Sequence, residues 1–110
     1  MNLPNGERAI VEIAKLRDYC LNPDHPRGRH KARVFAAALG LTADHAEELR
    51  GALLQAARVE DANATDQDEY GQRYVVEFNM NGPAGQARVR SGWIIRQGED
   101  FARLTSCFVL

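Results

Sequence analysis

Gly28-Arg29-His30-Lys31-Ala32-Arg33 is the densest run of chemically able residues in the chain. It sets an imidazole beside an ammonium, flanks them with guanidiniums, and precedes them with a glycine. Histidine titrates near neutrality, so His30 can take a proton from a ribose hydroxyl or return one to a leaving oxygen. Lys31 supplies a proton or a point charge, and Arg29 a planar fork for phosphate oxygens. A helix starting at Arg29 would add its free N–H groups and positive end to the attraction for an anion. The chemistry that suits this set is work on a phosphodiester. The plainer alternative is an exposed histidine at a helix start and a lysine running along the core edge to solvent.

A second cationic set lies in the C-terminal half. Arg73, Arg88, Arg90 and Arg96 share one strand parity, and an arginine-lined sheet face binds phosphate oxygens in pairs. Glu77 shares that parity and is the obvious internal partner for one of them. Cys20, His25 and His30 recur every five residues, but this matches no standard zinc spacing and brings no fourth ligand. No metal and no other cofactor is expected. A Walker-type phosphate loop and a G-x-S-x-G elbow are both absent. His25 lies between two prolines and His45 in a helical first turn, so neither stands out as catalytic.

The elements that must hold these residues follow from period and punctuation. Arg8 to Ile13 fits neither a helical nor a strand period cleanly. Lys15 to Leu21 reads as one or two helical turns with Leu16, Tyr19 and Cys20 on a common face, broken by Asn22-Pro23-Asp24-His25-Pro26. The spacing predicts a helix over 29–39, with Phe35 and Leu39 on its apolar stripe, Val34 and Ala38 beside them, and Gly40 as its stop. Lys31 lies one turn before Phe35 on that stripe, and partial withdrawal from water suits a lysine to a cleft. Thr42 reads as the N-cap of a further helix whose core face is Ala46, Leu49, Leu53 and Ala57, with Leu54 alongside.

The acidic stretch 62–69 shows no apolar period and reads as a solvated linker. After it the period becomes two. Tyr74, Val76, Phe78 and Met80 alternate with polar residues, as do Ala87, Val89, Ser91, Trp93 and Ile95, with a turn at Asn81-Gly82-Pro83-Ala84-Gly85. A second turn at 97–100 leads to a final strand from Ala102 to Leu110. Strict alternation there puts Ser106 with Leu104 and Phe108 toward the core, so its hydroxyl meets the arginines only if a bulge intervenes. The expectation is an α+β fold: N-terminal helices packed on a C-terminal antiparallel meander, one domain spanning 1–110.

Composition narrows the class. The chain has 110 residues, 14 Lys plus Arg against 15 Asp plus Glu, and a net charge of −1. That balance hides segregation: residues 27–33 carry four bases and no acid, whereas 60–69 carry five acids and no base. No apolar run approaches the roughly 18 residues that span a bilayer. The first residues lack a basic start followed by an apolar stretch. Cytoplasmic residence with Cys20 and Cys107 reduced is the expectation, with neither membrane nor DNA as a partner.

The runs KLRDYCLNPDHPRGRHKARVF, YGQRYVVEF, VRSGWII and RLTSCFV resemble a small bacterial domain of unknown function. Its members share K-L-x-x-Y-x-L-N, then H-P-x-G-x-x-K-A-x-x-F, a tryptophan strand and a closing L-x-[ST] strand. The likeness runs from about Ala9 to Val109 and places the family block on Gly28, Lys31, Ala32 and Phe35, the tryptophan on Trp93, and the small hydroxyl on Ser106. His30 falls on a position that varies. The resemblance implies association with polymorphic toxins and toxin–antitoxin pairs, and hence a cognate antitoxin or immunity protein. The layout is also similar to that of barnase, EndoU, colicin and RelE-like ribonuclease toxins, which is an analogy of architecture. These likenesses imply a metal-independent ribonuclease with Lys31, His30 and Ser106 as catalytic residues and Arg29, Arg88 and Arg90 on the RNA phosphate. The alternative is a module that binds protein or RNA without cutting.

Overall fold

The computed structural model describes all residues, 1–110. A 3-10 turn, Gly6–Arg8, is followed by one α-turn, Ile13–Lys15 (α1), which widens into five residues of π-helix, Leu16–Cys20. Two longer helices follow, Arg29–Leu39 (α2) and Ala46–Val59 (α3). The second half is sheet: Ala62–Asp68 (β1), Gly71–Gly82 (β2), Gly85–Arg96 (β3) and Arg103–Val109 (β4), antiparallel in the order β1-β2-β3-β4. This is the α+β arrangement that the change of period predicts.

The helices form where apolar spacing lets them bury a stripe. α2 turns Ala32, Phe35 and Leu39 inward, and α3 turns Ala46, Leu49, Leu53, Ala56 and Ala57 inward. Gly40 ends α2 with φ 72°, its N–H on Ala36 O while the Leu41 N–H reaches back to Phe35 O, the left-handed closure glycine accepts without strain. The start of α3 differs from expectation in detail. Thr42 opens a 3-10 turn, Ala43–His45, and the His45 ring accepts the Thr42 N–H at 3.0 Å. A ring nitrogen thus acts at a start signal that usually ends in a carboxylate or amide.

Both inner rows of the central strands are where alternation puts them. Tyr74, Val76, Phe78 and Met80 meet Ala87, Val89, Ser91 and Trp93 across β2 and β3, under the helices. Trp93 and Phe35 are the largest fully buried side chains. Emptying a site of that kind, as in Phe35→Ala, costs about 3–5 kcal/mol. No helix is long and apolar enough to cross a membrane.

One element was read wrongly from the sequence. The stretch 62–69 is not a linker: β1 occupies Ala62–Asp68 and pairs with β2 from Ala62↔Val76 to Asp68↔Gly71, with an irregularity between Ala64 and Gln67. Only Ala62 of this strand is buried. This edge strand is held by backbone pairing, by Ala62 in the core and by the Asp68–Arg73 ion pair at 3.1 Å, so it has no apolar period to announce it.

Candidate functional site

The loop before α2 is built around His25. Its Nδ1 accepts the backbone N–H groups of Arg27 at 3.0 Å and Gly28 at 3.1 Å, and its ring stands edge-on to Tyr19, centroids 4.6 Å apart at 70°. The His25 carbonyl then accepts the Arg29 N–H, and α2 begins. A Cβ on Gly28 would lie 2.3 Å from the Tyr19 carbonyl oxygen. Glycine is what lets the start of α2 press against the π-helical turn that carries Tyr19 and Cys20. The three-residue step from Gly28 to Lys31 then turns the lysine toward β4.

Lys31 is half-buried and donates from Nζ to Ser106 Oγ at 2.9 Å. Its ammonium also stands over two rings, 5.4 Å from the centroid of Tyr19 and 5.7 Å from that of Phe108. The Arg90 guanidinium lies 5.9 Å from the same Phe108 centroid. Each such contact contributes about 0.5–1 kcal/mol near a surface. Lys31 is therefore held by a hydroxyl and two aromatic faces, with no carboxylate partner.

The hydroxyl arrives through a β-bulge. Trp93 pairs with Leu104 and Gly92 with Ser106, which leaves Thr105 without a partner in the ladder. A bulge turns two successive side chains to one side of the strand. Thr105 Oγ1 lies 2.9 Å from where a Gly92 Cβ would be, so the absence of a side chain at Gly92 is what receives it. Strict alternation placed Ser106 and Phe108 with the core. Past the bulge they join the row of Arg90, while Cys107 pairs with Ser91 on the buried face.

Two thiols lie beneath the lysine. Cys20 and Cys107 are buried and free. A hydrogen bond from the Cys107 thiol draws the Cys20 thiol down to about 7 against the opposing effect of burial, with the Lys31 charge and the Ser106 hydroxyl assisting. Cys107 moves upward, through the same hydrogen bond and its own burial. One thiol ionises at the expense of the other, because a second thiolate would face the first.

The remaining sequence-predicted residues fall at different distances from this centre. His30 is exposed and lines an open pocket of about 260 Å³ with Lys31, Val34, Phe108 and Val109. Val34 thus belongs to a surface recess rather than to the core stripe. Arg90 Nη2 lies 2.7 Å from Glu77, and Arg88 Nε 3.5 Å from the same carboxylate, whose proton affinity falls chiefly through the Arg90 hydrogen bond. Glu77 is therefore the internal partner that parity foresaw, and it offsets one of the two arginine charges. Arg29 is exposed and makes neither an ion pair nor a side-chain hydrogen bond. The structure brings together Lys31, Ser106 and Arg90, sets His30 at the pocket rim, and leaves Arg88 two residues farther along β3.

Sequence reasoning missed Tyr19, Cys20, Cys107 and Phe108 as neighbours of Lys31. Tyr19 sits in the K-L-x-x-Y pattern and was readable as something more than core. Phe108 was hidden by the same parity error as Ser106. Nothing in spacing links two cysteines 87 positions apart (107 minus 20). The five-residue recurrence of Cys20, His25 and His30 gathers no ligand cluster, since no three His, Cys, Asp or Glu side chains converge.

A family model described as domain of unknown function (DUF6883) matches residues 2–110, and the chain belongs to that family. No curated protein matches the chain.

Proposed function

We propose that this chain acts on RNA as a small, metal-independent ribonuclease of toxin type, with the scissile phosphate bound at Lys31 and Ser106. The observation that carries this reading is the half-buried Lys31 ammonium, without a carboxylate partner, 2.9 Å from a serine hydroxyl and beside an open recess rimmed by His30. A cation held without a carboxylate partner, at the edge of an open recess, is a site for an anion. Ser106 accepts its hydrogen bond from Lys31, and in the proposed complex its O–H turns from the Cys20 sulfur to a non-bridging phosphate oxygen.

The reaction then runs by transfer within the RNA. The ribose 2′-oxygen attacks phosphorus as its proton passes to His30, and the bond to the 5′-oxygen breaks. Lys31 protonates the departing 5′-oxygen, giving a 2′,3′-cyclic phosphate and a 5′-hydroxyl. Arg90 sits near enough to Phe108 to hold the neighbouring phosphate, and Arg88 and Arg29 extend the cationic track. The toxin-type reading brings a cognate antitoxin or immunity protein as partner, and a basic locus of this kind suits an acidic one.

The test is incubation of the chain with total RNA in EDTA, beside Lys31→Ala, with analysis of fragment ends. Cyclic phosphate ends from the native chain, and about a hundredfold less from Lys31→Ala, support the proposal. RNA left intact by both overturns it in favour of a module that binds without cutting.

A further inference from the structure

On the far side of the sheet from β4, β2 has an open edge. β1 accompanies β2 only up to Ala62↔Val76, whereas β3 continues to Gly82↔Gly85. From Glu77 to Gly82, β2 therefore has a strand on one side only. The direction of its free groups is set by the ladder. Leu110 N–H donates to Arg88 O, so the Arg88 peptide faces β4. Its cross-strand neighbour Asn79 then sits in a non-hydrogen-bonded pair with β3 and turns its own N–H and C=O to the open edge, as does Asn81 two residues on.

This edge is sheltered rather than blunted. α3 runs beside it, and the two enclose a groove of about 490 Å³. Four consecutive strand residues, Phe78 to Asn81, line it, so what faces the groove is the strand's backbone edge and not one of its faces. The helix side adds Ala56 and Val59, the latter 58% exposed. The usual protections of an edge, lysine, proline or a bulge, are missing from this stretch.

The charge of the groove selects its occupant. Glu48 and Glu60 line it, neither has an ion-pair partner in the chain, and no Lys or Arg lines it. Nucleic acid is repelled there. A second copy pairing edge to edge would bring the same two carboxylates against their own images. We infer that the groove receives an extended cationic segment of a partner protein, added as a strand beside Glu77–Gly82 with its basic side chains toward Glu48 and Glu60. This site is independent of the Lys31 centre, which lies at the opposite edge of the sheet.

The test uses the full chain, ¹⁵N-labelled, and three blocked octapeptides that alternate valine with arginine, threonine or glutamate. Expected are saturable shifts with the arginine peptide at the amides of 77–82 and the facing turn of α3, with hydrogen exchange at Asn79 and Asn81 slowed about tenfold or more. Glu48→Gln with Glu60→Gln weakens that binding about three- to tenfold at low salt. Equal binding of the glutamate peptide, shifts centred on β4, or no shift at millimolar peptide overturns the inference. So does self-association of the chain through the same edge.

Discussion

Lys31 Nζ and Ser106 Oγ meet at 2.9 Å although 75 positions separate them in the chain. One comes from the first turn of α2 and the other from the bulge of β4, the outermost strand. Neither residue's own element fixes the contact. It depends on Gly28 letting α2 approach the Tyr19 turn and on Thr105 shifting the ladder by one residue.

Shortening Lys31 and neutralising it are separable. Lys31→Met keeps an unbranched apolar stem between the Tyr19 and Phe108 rings, so its melting temperature should stay within a few degrees of native. On the proposed ribonuclease reading, its RNA cleavage should fall about a hundredfold, because the charge is gone. Lys31→Ala should lose the same activity and also unfold earlier, through lost ring contact. A Lys31→Met chain that cuts RNA at the native rate would show that the ammonium has no part in the reaction. Thermal melts and fragment counts on both variants decide it.

The thiol pair makes stability depend on pH in a stated direction. Folded, the Cys20 thiol gives up its proton at about 7, against an ordinary thiol value of 9.0. Between those values the unfolded chain binds more protons, so stability rises with pH across the window. It is lost as pH falls through 7. Above 9 the raised Cys107 thiol works the other way, since there the folded state holds the extra proton. Denaturant midpoints should therefore peak near pH 9, and Cys20→Ala should remove the rise between 7 and 9. Thiolate absorbance gives a direct reading: its midpoint near 7 should move upward in Lys31→Met.

Buried polar groups offer a sharper stability test at Ser91. Its Oγ donates to Val76 O at 2.7 Å and accepts the Trp93 indole N–H at 2.9 Å, all within the core. Ser91→Ala leaves a buried donor and a buried acceptor without this partner and should cost about 1–3 kcal/mol. On a domain of this size that is a fall of roughly 5–15 °C in melting temperature. Trp93→Phe in the Ser91→Ala background removes the stranded donor. The double variant should lose less than the sum of its parts, and a strictly additive cycle would refute the linkage.

What was legible in the sequence was what repeats. Phe35 and Leu39 at helical spacing, and Val76, Phe78, Val89 and Trp93 at strand spacing, located the core and the antiparallel α+β layout before any coordinate. Glu77 opposite the arginines followed from the same parity. What escaped lay where period fails. β1 has no apolar row because it is an exposed edge, so Thr65 and its neighbours read as linker. The bulge at Thr105 reversed the parity of Ser106 and Phe108, and pairs such as Cys20 with Cys107 arise only once α1 and its π-helical extension pack on β4.

The bulge itself can be removed. Deleting Thr105 leaves Trp93↔Leu104 and Gly92↔Ser106 as successive pairs, so the ladder closes as regular antiparallel sheet with no side chain changing face. The deletion variant should fold, with its Trp93 fluorescence native, and on the ribonuclease reading should keep the native cleavage rate, because Ser106 still pairs with Gly92 on the face that meets Lys31. Gly92 supplies the matching control. In the native chain a Cβ at Gly92 would stand 2.9 Å from Thr105 Oγ1, and Gly92→Ala should cost about 1 kcal/mol as the threonine turns away. With Thr105 deleted, that penalty should vanish. A Gly92→Ala cost that persists in the deletion background would place its origin outside the bulge, and loss of cleavage by the deletion variant would show that the bulge does more than set the face of Ser106.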